Sequence, residues 1–277
     1  MHSNLDKAGK HYWDNVWEGH TIPPPVDPRS VGLRQHQNHR FHRLFTRVLL
    51  GHRGWSKNSL QGRRLLEIGA ARSTWLPYFN KEFGLQVTGI DYSEVGCRQA
   101  EVILEAAGVE GELICADFFS PPAEMLGAFD VVVSFGVVEH FANTSDALAS
   151  FASFLKPGGL LITSVPNLTG LLGWIQKRLG RAIYDIHVPL DRDALALAHS
   201  RAELQVLSCG YFMSANFSVL NFADWPGGLA QKAAVKFASA VSLLIWALEL
   251  KGVRIKPNKL TSPYVVCVAA KPDGKAI

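Results

Sequence analysis

Between residues 63 and 167, five short apolar runs alternate with stretches of helical periodicity, and this alternation restricts the fold more than any other feature of the chain. The runs are 63–69, 86–91, 112–116, 130–135 and 160–165. Segments such as Val131-Val132-Val133 and Leu160-Leu161-Ile162 are apolar on both faces of a pleat, as strands buried between two layers must be. Helical stretches fall between the runs at 74–83, 93–107 and 144–155. Strands and helices in this order build a parallel sheet covered on both faces. Lys156-Pro157-Gly158-Gly159 reads as a turn that ends one helix and launches the next strand.

The flanks extend this frame. Residues 6–17 predict a short helix anchored by Tyr12, Trp13 and Trp17, and the four prolines of 21–28 require a loop. Residues 35–50 predict a helix with Phe41, Leu44, Phe45, Val48 and Leu49 on one side, and 51–62 a polar connector. Beyond Asn167 the pattern gives helices at 168–183 and 191–209, a strand at 212–221, a long helix at 229–251 and a final strand at 263–271. The 277 residues suit one α/β domain with additions: a basic, helical cap segment at 1–62 and a main domain at 63–277, in which 168–260 supplies a helical cover.

Charge is distributed unevenly. The net charge is only +4, yet 28–66 holds no acid and nine cations: Arg29, Arg34, Arg40, Arg43, Arg47, Arg53, Lys57, Arg63 and Arg64. Such a block is either a solvated face or a surface for phosphate, acidic glycan or anionic membrane. Nucleic acid is disfavoured, because the block lacks regular aromatic interleaving. His36, His39 and His42 recur every third residue without an accompanying carboxylate or cysteine, so no metal site is expected there. Cys97, Cys115, Cys209 and Cys267 form no C-x-x-C pair, and the first ten residues carry charge without an apolar run. Both points lead to a reducing, cytoplasmic setting without a secretory leader.

The first strand turns sharply at Gly69 into a helix whose free N–H groups face any ligand there. Asp91 ends the second strand, where a carboxylate can accept both hydroxyls of a ribose, and Ser93 caps the following helix. Glu67-Ile68-Gly69-Ala70-Ala71-Arg72-Ser73 resembles the first motif of class I S-adenosyl-L-methionine-dependent methyltransferases, acidic-x-Gly-x-Gly-x-Gly, with Ala71 and Ser73 in place of two glycines. Residues 129–141 resemble the fourth motif of that family and 155–161 the turn and strand after it; the resemblance covers about 63–167. It implies a Rossmann-like, doubly wound, mostly parallel seven-stranded sheet whose last strand is antiparallel, with N-terminal helices and a helical insertion before that strand. It also implies S-adenosyl-L-methionine as cofactor, held by Glu67, Gly69, Ala71, Asp91, Tyr92, Asp117, Phe118 and Phe135. Asp117 would accept from the adenine amino group and Phe118 would lie against the purine. A dinucleotide oxidoreductase would share Asp91 but would want glycines in the first turn and no acid on the first strand.

A hydroxyl acceptor needs its proton removed, and His140 and His187 are the candidate catalytic bases. Each also has a structural reading, holding its own loop. In an extended segment Asp185 and His187 share a face, so the carboxylate could orient the ring. The first acceptor expected is a hydroxyl on a sugar or glycan intermediate, carried in one version on a lipid diphosphate. The alternative is a quinone precursor or other hydrophobic or lipid molecule, and a third reading is a non-catalytic binding protein that keeps the cofactor fold. Leu168, Leu171, Leu172, Ile175 and Leu179, with Lys177, Arg178 and Arg181 beside them, give a basic amphipathic helix. Residues 237–248 carry no charge; they are either a buried lid or a surface that meets the inner face of a membrane.

Overall fold

The computed structural model describes residues 6–222 and 227–274. Its strands are β1 (Arg64–Ile68), β2 (Gln86–Asp91), β3 (Gly111–Cys115), β4 (Phe129–Phe135), β5 (Leu155–Pro166), β6 (Gln205–Phe212) and β7 (Tyr264–Ala270). Its helices are α1 (Lys10–Trp17), α2 (His36–Gly51), α3 (Lys57–Leu60), α4 (Leu76–Phe83), α5 (Glu94–Ala107), α6 (Thr144–Phe154), α7 (Leu171–Leu179), α8 (Arg181–Asp185), α9 (Arg192–Arg201) and α10 (Leu229–Leu250). All seven strands form one sheet in the order β3-β2-β1-β4-β5-β7-β6. Strands β1 to β5 are parallel, and β7 runs against both of its neighbours, as expected for the last strand.

Side-chain alternation sorts the two layers. Leu66, Ile68 and Val132 pack with Phe151 of α6 and Leu195 of α9 on one face. Leu65, Val131 and Val133 pack on the other with Phe41, Phe45 and Leu49 of α2 and with Phe79 and Phe83 of α4. The i, i+4 spacing of Phe41, Phe45 and Leu49 makes α2 a layer of this core. At the amino edge Asp130 accepts from Arg63, from the Arg64 N–H and from Lys156, tying together the starts of β1, β4 and β5.

Four sequence expectations are corrected. Residues 156–159 belong to β5: Gly158 N–H donates to Lys271 O and Lys271 N–H to Gly159 O, and a register shift opposite Phe129 and Val131 absorbs the left-handed Gly158 (φ +74). The helix expected at 168–183 breaks at Gly180 into α7 and α8. The helix expected at 191–209 stops at Arg201, because Glu203 is left-handed (φ +60) and the chain enters β6. The strand therefore runs from Gln205 to Phe212 and not over 212–221, which holds a single 3-10 turn at Phe217–Val219. β6 is an edge strand exposed in part on both faces, so it lacks the dense apolar run that marks its central neighbours.

Pro166, Phe212 and Tyr264 are in register at the carboxyl edge of the sheet. The excursion that contains α10 thus leaves and re-enters the sheet on the edge where α/β proteins hold ligands.

Candidate active site

The carboxyl ends of β1, β2 and β4 open onto a cleft of about 360 Å3. Gly69 turns there with φ +79, and a Cβ at this position would fall inside the radius of Val137 Cγ2. Ala71, where the motif has glycine, takes room left by another glycine: a Cβ on Gly96 of α5 would collide with Ala71 Cβ. Ser73, the other departure from the motif, bridges two elements. Its Oγ donates to Glu67 Oε2 at 2.5 Å and accepts from the Trp75 and Leu76 N–H groups at the start of α4.

Asp91 accepts from Ala71 N–H at Oδ2 (3.0 Å) and from Ser93 N–H at Oδ1 (2.8 Å). Each oxygen keeps a lone pair for a further donor. Burial raises the Asp91 pKa to about 6, against the opposing pull of these N–H groups. Burial likewise pushes Glu67 up to about 8. Phe118, Phe135 and Tyr92 complete this wall together with Trp75 and Ile90. Asp117 does not line the cleft: it is exposed, and its Oδ1 accepts from Phe119 N–H at 2.9 Å.

The N-terminal segment closes the cleft from above, which the sequence did not reveal. Asp6, Trp13 and Trp17 line the cavity. Tyr92 Oη donates to Asp6 Oδ2 at 2.8 Å, Ser93 Oγ to Asp14 Oδ1 at 2.6 Å, and Lys7 N–H to His140 O at 2.9 Å. The available signal was three aromatic residues on a helix of only eight residues, too many to bury without a distant surface.

His140 lines the cleft beside Trp13, whose ring meets it edge-on at 5.1 Å. Its Nδ1 lies 3.0 Å from Ile186 O, and His187 Nδ1 lies 2.6 Å from Ile183 O. A carbonyl only accepts, so both rings carry their proton on Nδ1 and present a bare Nε2. Burial, aided by His187, lowers the His140 pKa to about 4, and burial lowers that of His187 too. Glu139 is buried beside them; among the described residues its Oε2 has no hydrogen-bond partner, and burial raises its pKa to about 8. One potential ligand atom from each of Glu139, His140 and His187 lies within 4.8 Å of the others.

The Asp185–His187 pairing does not form. Asp185 sits in α8 and binds Arg181 Nε through both oxygens, at 2.9 and 2.8 Å, because the segment is helical and not extended. The three histidines of α2 also part company. His36 pairs with Glu249, His39 Nε2 lies 2.8 Å from Ser30 O, and His42 Nδ1 lies 2.9 Å from Tyr78 Oη.

These residues fit S-adenosyl-L-methionine on three structural grounds. The free lone pairs of Asp91 suit a pair of ribose hydroxyls. At Gly69, where a Cβ would collide with Val137 Cγ2, the bare backbone itself forms the cleft wall and lets a ligand approach closely. Glu67, buried without a cation among the described residues, matches a ligand that brings positive charge, and such a partner would draw its carboxyl back to the ionised form.

A family model described as "Methyltransferase domain" matches residues 34–209. A ubiquinone biosynthesis O-methyltransferase of Caulobacter sp. (strain K31) is 34% identical over 116 residues, which are 42% of this chain and 46% of that protein. The chain thus spans about half the length of the curated relatives it matches. A crystal structure of geranyl diphosphate C-methyltransferase from Streptomyces coelicolor A3(2) superposes with a TM-score of 0.59 at 14% identity, covering 95% of this chain and 98% of that one. A crystal structure of the cyclase SpnF gives 0.60 at 17% identity, covering 98% and 97%. With the family match spanning more than half its length and the cleft residues in place, the chain belongs to the class I S-adenosyl-L-methionine-dependent methyltransferases.

Proposed function

We propose that the protein O-methylates a hydroxyl on a small, largely apolar acceptor of quinone-precursor type, with His140 as the proton acceptor. The observation that carries this reading is the bare Nε2 of His140 on the cleft wall, held in one tautomer by Ile186 O. When bound, the cofactor supplies an activated methyl group whose carrier leaves as a neutral thioether. The acceptor oxygen must lose its proton as it bonds to the methyl carbon, and His140 Nε2 can take it. With a pKa near 4 the ring is in its base form throughout the neutral range. Glu139, held protonated at neutral pH by burial, adds no competing charge beside it. Trp13, Phe141 and Val137 around His140 exclude water and offer flat apolar surface. A sugar hydroxyl on a lipid diphosphate, the other acceptor class expected from sequence, would want polar partners for its ring hydroxyls. The ubiquinone-pathway name of the curated relatives supports the quinone-like class in the same sense.

The test is transfer of label from S-adenosyl-L-methionine to a panel of polyprenyl or alkyl phenols beside a panel of sugar nucleotides and lipid-linked sugars. Label on phenol oxygen is expected. Label confined to sugars overturns the acceptor reading, and cofactor binding without transfer to either panel overturns the enzymatic one.

A further inference from the structure

Helix α10 is long and apolar enough by length and composition to cross a membrane, yet most of it is exposed. Its inward face is fastened to the body. Trp246 Nε1 donates to Ala215 O, Ser242 Oγ accepts from Phe217 N–H, and Glu249 Oε2 lies 3.0 Å from His36 Nε2. The opposite face carries Phe237, Leu244 and Leu248, which are 72%, 63% and 40% exposed, at helical spacing and without an intervening charge. An apolar stripe of this size left to water marks an interaction site.

Charge identifies the occupant. Residues 227–263 hold six cations, Lys232, Lys236, Lys251, Arg254, Lys256 and Lys259, and one acid, Glu249, which is turned inward. The helix packs against the start of α2 through His36, which stacks on Trp246. Arg40, Arg43 and Arg47 lie on the side of α2 opposite its buried Phe41, Phe45 and Leu49. Among the described residues, no ion pair uses Arg34, Arg40, Arg43 or Arg47. Lys259 pairs with Asp191, but the stripe is otherwise bordered by cations with Glu249 turned inward, and this complements an anionic lipid surface. The bonds of Trp246 and Ser242 exclude a spanning orientation, since lipid around the helix would have to break them.

We infer that α10, with the cationic face of α2 beside it, is a docking surface for an anionic lipid bilayer, on which the helix lies in the interface plane. Because α10 rises from the sheet edge that carries the cleft, docking there would present the active site toward the bilayer. This surface stands apart from the acceptor reading: vesicle binding needs neither acceptor nor turnover.

Sedimentation of the full chain with vesicles tests it, using phosphatidylcholine alone and phosphatidylcholine with phosphatidylglycerol in about equal parts. The protein is expected to pellet with the anionic vesicles only and to be released by salt raised to about 1 M. Replacing Lys232 and Lys236 by Gln should weaken partitioning by about fivefold per cation removed. The double variant Phe237→Ser, Leu244→Ser should weaken it by about tenfold or more while leaving cofactor affinity unchanged, since both side chains point to solvent. A chain that stays in the supernatant with both vesicles overturns the inference, as does undiminished binding by the double variant. A wild-type dimer that the double variant makes monomeric, without vesicle binding, would assign the stripe to a second copy and overturn it equally.

Discussion

The imidazoles of His140 and His187 stand 4.4 Å apart, each with Nδ1 committed to a backbone carbonyl. Two rings so fixed cannot both be charged at little cost, which is one reason His140 titrates low. Only His140 lines the cleft, so the two should differ in effect. His140→Ala should lower kcat by about 100-fold or more while S-adenosyl-L-homocysteine affinity holds. His187→Ala should cost about tenfold and should raise the His140 pKa, visible as a shift of the acid limb of the kcat profile. Full turnover by His140→Ala with a hydroxyl acceptor would remove the proposed base.

Cofactor affinity should depend on pH through Glu67 and Asp91. Ribose hydroxyls donate to the ionised carboxylate, so the ligand favours the deprotonated form. With the free-protein pKa of Glu67 raised to about 8 and that of Asp91 to about 6, affinity should decline from about pH 8 downward and steepen, by up to a further tenfold per pH unit, below about pH 6. Calorimetric titration with S-adenosyl-L-homocysteine at several pH values reads this directly. An affinity constant down to pH 5 would mean that Asp91 is not the ribose ligand. Asp91→Asn should remove the steeper limb below about pH 6 and weaken binding about tenfold or more.

The parallel half of the sheet was legible because central strands are apolar on both faces: Val131-Val132-Val133 could be little else. Gly69 and Asp91 were legible because strand-end geometry restricts what can stand there, and Phe118 was legible through the family resemblance. The edge strand β6 was missed because its half-exposed residues suit helix and strand alike, and only pairing with β7 decides between them. Asp6 and Trp13 were not read as cleft residues, since contact between the N-terminal segment and His140 is set by tertiary closure and not by local pattern. Asp185 misled for the same reason in reverse: spacing put it beside His187, and the helical turn of α8 took it to Arg181.

Ala71 and Gly96 should be coupled. A Cβ on Gly96 meets Ala71 Cβ and Cα, so Gly96→Ala should destabilise the fold by about 1–3 kcal/mol through overpacking. Ala71→Gly alone should cost little. The double variant should recover most of the loss, because each glycine can host the other's methyl group and alanine favours the helix α5. Denaturant midpoints of the four proteins measure the coupling. Additive effects would show that the two positions do not share one space.

Asp130 predicts where acid weakens the fold. Burial alone would raise its pKa, but Lys156, the Arg64 N–H and Arg63 hold it below the ordinary aspartate value. A carboxyl with a depressed folded pKa contributes stability above its unfolded pKa of about 4, and that contribution is lost as pH falls through the folded value. Asp130→Asn should therefore lower stability at neutral pH by about 2 kcal/mol, leaving Arg63 and Lys156 without their shared negative charge and with one acceptor oxygen in place of two at the amino edge. The gap between wild type and variant should narrow below pH 4, when the wild-type carboxyl also becomes neutral. Both cations are partly exposed, so raised salt should shrink the gap at neutral pH as well. A difference independent of pH and salt would assign the loss to packing around the side chain and not to its charge.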